Sequence, residues 1–167
     1  MTGSPMLLMD TNVWLDRFLP NRPGFEVAKE LIDLYIEQDV TILYPLRALN
    51  DVFWQVQTSN KKWVREGKGD LSKAYAKAIN TFAWDCIDSM VEVGTPVGAD
   101  IGDVWLARHM RDIHSDFEDD MVLAAAERAR ASYLVTSDRK LIQKSTVAAF
   151  TPEDMLKVLH MRQELLA

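Results

Sequence analysis

Apolar residues along the chain occur either in short continuous runs or at intervals of three and four residues. Residues 6–9 form a continuous apolar run that stops at Asp10, which predicts a strand buried on both faces. Further strands are predicted at 39–44, 91–94, 132–136 and, at an edge, 146–150. Helices are predicted at 24–38, from Pro45 to 56, 71–90, 100–112, 116–130, 138–144 and from Pro152 onwards, with a break at the polar stretch 57–69. This alternation predicts an α/β fold of three α/β/α layers around a central, mainly parallel sheet of about five strands.

Acidic residues follow two of the predicted strands and begin one of the predicted helices. Asp10 ends the first strand, Asp138 comes two residues after Thr136 in another, and residues 116–120 contain four acids. Because ligands of parallel sheets bind at the carboxyl ends of the strands, neighbouring strands would bring these acids to one edge. Carboxylates from separate segments can hold a hard cation such as Mg²⁺, which activates water and stabilises the charge developing on a phosphodiester.

Each of these acids also has a purely structural interpretation. Ser115 and Glu118 fit a capping box, and acids in the first turn of a helix favour its dipole. Asp138 would cap a short helix, and Asp10 would be a turn residue. For Asp10 this interpretation is weaker, because a carboxylate at the end of a buried strand needs partners such as Thr11 and Asn12.

Composition limits the class of protein. The 167 residues, 48% of them hydrophobic, fit one soluble domain spanning residues 1–167. A single cysteine, Cys86, excludes a disulfide framework, and the first residues, MTGSPMLLM, are too short and uncharged for a signal peptide. We therefore expect a cytoplasmic protein that does not associate with membranes. The net charge of −6 argues against a protein that binds nucleic acid over its whole surface. A bound metal would, however, neutralise a carboxylate cluster locally.

Positive charge is concentrated in one stretch of the otherwise acidic chain. Its basic residues are Lys61, Lys62, Arg65, Lys68, Lys73 and Lys77, and Trp54 and Trp63 lie among or near them. Bases of RNA could stack on these tryptophans while the cations follow the phosphates. The alternatives are a solvated helix face with a buried aromatic beneath it, or a surface for an oligomer or partner.

Three acidic segments have recognisable patterns. An apolar strand leads into Asp10-Thr11-Asn12 in LLMDTNVWLD, an acid precedes spaced alanines in DDMVLAAA, and a strand ends in Thr-x-Asp in LVTSD. Together these segments, and the chain from about residue 6 to 156, resemble the PIN domain, the fold of VapC-like toxins and related ribonucleases. Thr136 and Asp138 lie 17 and 19 residues after Asp119, a spacing usual for the family that selects Asp119 over Asp120.

The resemblance implies a metal-dependent endoribonuclease. Its metal ligands, for one or two Mg²⁺ or Mn²⁺ ions, would be Asp10, Asp51, Asp119 and Asp138. A metal-bound water would attack the phosphorus of single-stranded RNA, while Thr11, Asn12 and Thr136 orient carboxylates or waters. PIN relatives commonly form homodimers, and toxins of this type bind an antitoxin protein.

One position departs from the family pattern. The family usually has a glutamate early in the helix after its second strand, where this chain has Asn50-Asp51. Asp51 best fits the place, with a side chain one methylene shorter, and Asn50 is the other candidate. Asp116 is an additional acid that would join the ligands or replace one.

Two rival functions remain open at this point. A haloacid-dehalogenase-like phosphatase also begins with a strand that ends in Asp, but Asn12 replaces its second acid and Asp119-Asp120 precedes Thr136 in the wrong order. A PIN-like scaffold that has lost catalysis would retain an RNA or protein partner. The histidines lack metal-ligand spacing, and no nucleophile motif or glycine-rich phosphate loop occurs.

Overall fold

The computed structural model describes residues 5–38, 40–111 and 116–166 of the chain. Within these ranges the strands are β1 (Met6–Met9), β2 (Thr41–Pro45), β3 (Thr95–Val97), β4 (Tyr133–Val135) and β5 (Ala149–Phe150). The helices are α1 (Thr11–Phe18), α2 (Phe25–Glu37), α3 (Arg47–Lys68), α4 (Lys73–Val93), α5 (Ile101–Met110), α6 (Phe117–Arg128), α7 (Arg139–Lys144) and α8 (Pro152–Leu166). None of these described helices is both long and apolar enough to span a membrane.

β1 lies at the centre of a five-stranded sheet in which every pairing is parallel. The strand order is β3-β2-β1-β4-β5, and Leu8 of β1 pairs with Leu43 of β2 and Leu134 of β4. The amide of Asp10 continues the pairing with β4 by donating to the Val135 carbonyl at 3.0 Å. The carboxyl ends of β1 and β4 therefore lie side by side, and the predicted parallel sheet is confirmed.

Alternate side chains of β1 enter two hydrophobic cores, one on each face of the sheet. Leu7 and Met9 pack in the core formed with α1, α2, α3, α4 and α8, whereas Leu8 packs in the core formed with α5, α6 and α7. Because helices cover both faces, β1 has no solvent-facing side and its apolar run is continuous. The predicted three-layer α/β/α arrangement is confirmed.

The third strand lies later in the chain than predicted. Residues 91–93 complete α4 and β3 begins at Thr95, so the strand predicted at 91–94 is wrong. The buried stripe of α4, which includes Ala83, Cys86 and Met90, extends the helix over this β-branched stretch. Gly94 then leaves the helix in an extended conformation while its amide bonds the Met90 carbonyl.

Three further helix boundaries differ from the sequence prediction. No helix is predicted for α1, whose eight residues bury Val13, Trp14 and Leu15. Pro45 is the last residue of β2 and not the first of a helix. α3 continues through the polar stretch predicted as a break and ends at Gly69, whose φ of 82° favours glycine.

Candidate active site

Asp10 lies at the junction of β1 and α1, and only 9% of its surface is exposed. One carboxylate oxygen, Oδ1, accepts the amide of Thr11 at 2.7 Å and so caps α1. The other, Oδ2, accepts Asn12 Nδ2 and Thr136 Oγ1, each at 2.8 Å. Three donors therefore fix the orientation of this buried carboxylate.

Thr136 joins Asp10 to the end of β4. Its hydroxyl oxygen accepts Asn12 Nδ2 at 3.0 Å and the amide of Asp138 at 3.1 Å, so its own proton is available for Asp10. Asn12 Oδ1 in turn accepts the amide of Ser137 at 3.0 Å. The residues predicted to orient the carboxylate, Thr11, Asn12 and Thr136, all donate a hydrogen bond to Asp10.

Burial raises the pKa of Asp10 above its ordinary value, because water is excluded from the charged form. The hydrogen bonds from Thr136 and Thr11 oppose this rise in pKa, whereas the negative charges of Glu118 and Asp138 add to it. A cation beside Asp10 would relieve both the lost solvation and the repulsion.

Asp10 lines a cleft of about 280 Å³ at the carboxyl edge of the sheet. Four other acids line the same cleft: Asp116, Glu118, Asp119 and Asp138. Among the lining residues that the structure describes, Arg22 is the one basic side chain, and its Nε lies 2.5 Å from Asp16 Oδ1. Arg22 is thus paired with Asp16, and the five acids of the lining outnumber its one base.

The first turn of α6 supplies acids to the cleft. Asp119 is half-buried and lines the cleft, whereas Asp120 is 2% exposed and does not. The structure therefore brings Asp119 and not Asp120 to the side of Asp10. Glu118, predicted only as a capping residue, also lines the cleft, and its place beside Asp119 in the same turn is the sequence feature that indicates it.

Two further acids of the cleft cap helices, as Asp10 does. Asp116 Oδ1 accepts the Glu118 amide at 2.9 Å, and Asp138 Oδ1 accepts the amides of Lys140 and Leu141 at 2.8 and 3.2 Å. The proposed capping residue Ser115 lies outside the described residues. Capping uses one oxygen of a carboxylate, so the structural and the metal-binding interpretations of these acids are compatible.

Asp51 does not line the acidic cleft. It lines a neighbouring, largely apolar pocket of about 150 Å³, which shares Thr11 and Glu118 with the cleft. Arg47 lies between Asp51 and Glu118. Its Nε is 3.3 Å from Asp51 Oδ2, and one of its terminal nitrogens is 3.3 Å from Glu118 Oε2. Asn50 is exposed and lines neither pocket. Three of the four predicted ligands thus line the acidic cleft, whereas Arg47 connects the fourth, Asp51, to Glu118.

The acids of the cleft suit a hard divalent cation by donor type. Within the described ranges, no three side chains of His, Cys, Asp or Glu converge closely enough to form a complete metal site. The buried, hydrogen-bonded Asp10 carboxylate nevertheless faces the charges of Glu118 and Asp138. All candidate ligands are carboxylate oxygens, which Mg²⁺ and Mn²⁺ prefer.

The predicted basic stretch does not form one aromatic-basic surface. Trp54 and Trp63 are 69% and 61% exposed, so the alternative of a buried aromatic is wrong for both. Their separation of nine residues places them on opposite sides of α3. Lys61 bonds Gln57 at 3.0 Å and Lys68 lies 5.2 Å from the ring centre of Tyr75, so these predicted RNA-binding residues face different neighbours.

Asp10 should make the metal-free protein less stable as pH rises. Its pKa is raised in the folded state, so its stabilising contribution is complete below about pH 3.9 and is lost as pH rises through the folded-state pKa. We expect urea unfolding in chelator to show wild type losing stability relative to Asp10→Asn as pH rises above about 3.9. Excess Mg²⁺ should reduce this dependence of stability on pH. A stability difference between wild type and Asp10→Asn that does not change with pH would contradict the prediction.

Comparison with known proteins agrees with this architecture. The sequence profile of the PIN domain matches residues 6–140. The fold is similar to that of a chain in the crystal structure of VapBC2 from Rickettsia felis, bound to a DNA fragment from the promoter of these proteins. That match has a TM-score of 0.58 and 12% identity and covers 87% of this chain and 98% of that one. PAE2754 from Pyrobaculum aerophilum gives a TM-score of 0.57, 19% identity and coverage of 96% and 94%.

No curated protein sequence matches the chain significantly. The PIN-domain match nevertheless spans most of the 167 residues and includes Asp10, Asp119 and Asp138. The two solved structures independently show the same fold at low sequence identity. The chain belongs to the PIN-domain family.

Proposed function

We propose that the protein is a metal-dependent endoribonuclease that hydrolyses phosphodiester bonds of single-stranded RNA. One observation carries the proposal: the buried Asp10 carboxylate is held by three hydrogen bonds in a cleft that four further acids line. A carboxylate held in this way without a cation is costly, because burial and like charges both disfavour its ionised form. Membership of a family whose members are generally nucleases supports the same reaction class.

In this proposal Asp10, Asp119 and Asp138 hold Mg²⁺ or Mn²⁺, with Asp116 or Glu118 as a further ligand. The bound ion supplies an activated water and stabilises the charge that develops on the phosphodiester. Thr136 and Asn12 keep Asp10 oriented with its oxygens fixed.

Two arginines complete the proposed site. Arg22 lines the cleft and is held by Asp16, so it would bind a phosphate oxygen of the substrate without moving far. Arg47 bridges Asp51 and Glu118, so Asp51 would act by holding Arg47 and not as a direct ligand.

Cleavage of RNA should require both a divalent cation and an intact Asp10. We would incubate the purified protein with a mixed pool of structured RNA in Mg²⁺, in Mn²⁺ or in chelator, and follow fragments by gel electrophoresis. Asp10→Asn protein purified in the same way controls for contaminating ribonuclease. Cleavage that chelator and the variant both abolish would support the proposal, and equal cleavage in all samples would contradict it.

The alternative is a PIN scaffold that binds RNA or protein without cleaving it. The lack of three converged ligands in the described residues and the position of Asp51 outside the cleft favour this alternative. Folded wild-type protein that binds RNA but never cleaves it would establish the alternative. Release of phosphate from a small phosphomonoester would instead favour the phosphatase interpretation.

We further propose that the ribonuclease is the toxin of a toxin–antitoxin pair, acting in the cytoplasm as a homodimer. The similarity of fold to the VapBC2 structure supports this, although that similarity concerns the fold alone. Growth arrest on expression, relieved by a neighbouring gene product that co-purifies with the chain, would support the pairing. Sedimentation of the purified protein tests the dimer.

A further inference from the structure

A second pocket lies beside the acidic cleft. It has a volume of about 310 Å³, at the lower end of the range for small-molecule sites. Its walls are Leu19, Pro20, Asn21, Ser59, Asn60 and Trp63. None of these residues takes part in the proposed metal site, so the reaction described above does not explain the pocket.

The same two segments line the pocket and the cleft: the end of α1 with the loop after it, and the middle of α3. Leu19 lies one turn beyond Leu15, to which its amide bonds at 3.0 Å, and Ser59 lies one turn beyond Gln55 on α3. Leu15 and Gln55 both line the acidic cleft. From Gln55 to Trp63, α3 rises by about 12 Å. A single strand with a phosphodiester in the cleft would therefore reach the pocket within a short length of chain.

The chemistry of the pocket suits a flat ligand with hydrogen-bonding edges. Trp63 is 61% exposed and supplies a large aromatic surface. Asn21, Ser59 and Asn60 place amide and hydroxyl groups around that surface. Every nucleobase has an aromatic face for stacking and polar edges for hydrogen bonds.

The part of α3 that contributes to the pocket has an excess of basic residues. Residues 57–68 of α3 contain the cations Lys61, Lys62, Arg65 and Lys68 against one acid, Glu66, in a chain whose net charge is −6. Glu66, which lies 3.8 Å from Lys62, offsets one of these four charges and leaves the stretch with a net charge of +3. The net positive charge of this part of α3 would raise the local concentration of RNA near the pocket.

We propose that this pocket binds an unpaired base of the RNA substrate by stacking on Trp63. The proposal rests on the ribonuclease function proposed above and adds a defined subsite to it. The base occupies the space between the Leu19–Asn21 loop and α3. The enzyme would therefore select single-stranded RNA, because a paired base cannot leave its stack to enter the pocket without cost.

Binding measurements on Trp63 variants test the subsite. In the Asp10→Asn background with Mg²⁺, anisotropy of a labelled single-stranded RNA should show Trp63→Ala raising Kd by about 5- to 150-fold. Trp63→Phe should retain most of the affinity. Trp54→Ala is the matched control, because Trp54 is equally exposed on the opposite side of the same helix, and its Kd should stay within about twofold of the parent value.

The same variants should also separate binding from chemistry. In the active protein, Trp63→Ala should raise KM for RNA with little change in kcat. A series of RNAs can be made in which each member lacks the base at a different position. Trp63→Ala should raise KM for every member except one, because in that member the missing base is the one that would stack on Trp63.

Three results would overturn the subsite, and they differ in what they imply for the function. Equal effects of Trp63→Ala and Trp54→Ala, in a protein that binds and cleaves RNA, would remove the subsite and leave the ribonuclease. Loss of self-association in Trp63→Ala at unchanged RNA affinity would assign the pocket to a second copy of the chain. Failure of every variant and of wild type to bind or cleave RNA would overturn both proposals.

Discussion

Replacing Asp10 by asparagine should reduce Mg²⁺-dependent RNA cleavage by more than about 100-fold. Loss of a group that merely supports a metal ligand already costs about 10–100-fold, and Asp10 is the proposed ligand itself. Thr136→Val should fall within that smaller range, because it removes the hydroxyl that donates to Asp10 Oδ2 but keeps the charge. Initial rates over a Mg²⁺ titration should therefore show Thr136→Val rescued at high Mg²⁺ and Asp10→Asn not rescued.

The matched control for this series is Asp70→Asn. Asp70 is an exposed acid between α3 and α4 that does not line the cleft, so its replacement makes the same charge change without touching the site. Circular dichroism would establish that all three variants fold. A folded Asp10→Asn protein with wild-type activity would show that Asp10 only caps α1, and the metal-site proposal would fail.

Replacing Arg128 by alanine should destabilise the protein by about 2 kcal/mol or more. Asp103 is only 1% exposed, and its Oδ1 accepts Arg128 Nε at 2.8 Å, while Arg128 also bonds the Gly98 carbonyl. Removing one partner of a buried pair usually costs about 3–5 kcal/mol, because a charge is left without compensation. Arg128 is 40% exposed, so water would replace part of the lost interaction and lower this cost.

A double-mutant cycle gives the control for Arg128. Asp103→Asn should reduce the further cost of Arg128→Ala, because the neutral amide leaves no buried charge behind. Urea unfolding of the four proteins would measure the coupling free energy. Additive effects would contradict the assignment of a buried ion pair between Arg128 and Asp103.

α6 carries both Arg128 and Asp119, so Arg128→Ala should also lower RNA cleavage if it loosens the packing of α6 on α5.

Much of the architecture could be predicted because its signals are local. The continuous apolar run at β1 predicts a strand covered on both faces, and its strand-end Asp10 predicts a group at the ligand-binding edge. The sequence pattern did not predict the helix of residues 11–18, because this helix is short and begins in the segment that indicates the end of a strand. At 91–94 a β-branched stretch predicts a strand, but burial of the α4 stripe outweighs this weak local preference.

The sequence by itself determined the α/β class, the parallel sheet and the choice of Asp10, Asp119 and Asp138 as candidate ligands. The class and the sheet follow from hydrophobic periodicity, and the three acids follow from short motifs that resemble those of the PIN domain. Only the tertiary structure decided that Glu118 lines the cleft, that Arg47 pairs with Asp51 outside it, and that Trp63 lines a pocket. Contacts between distant segments depend on how helices pack against the sheet, and side-chain type and spacing along one chain do not encode that packing locally.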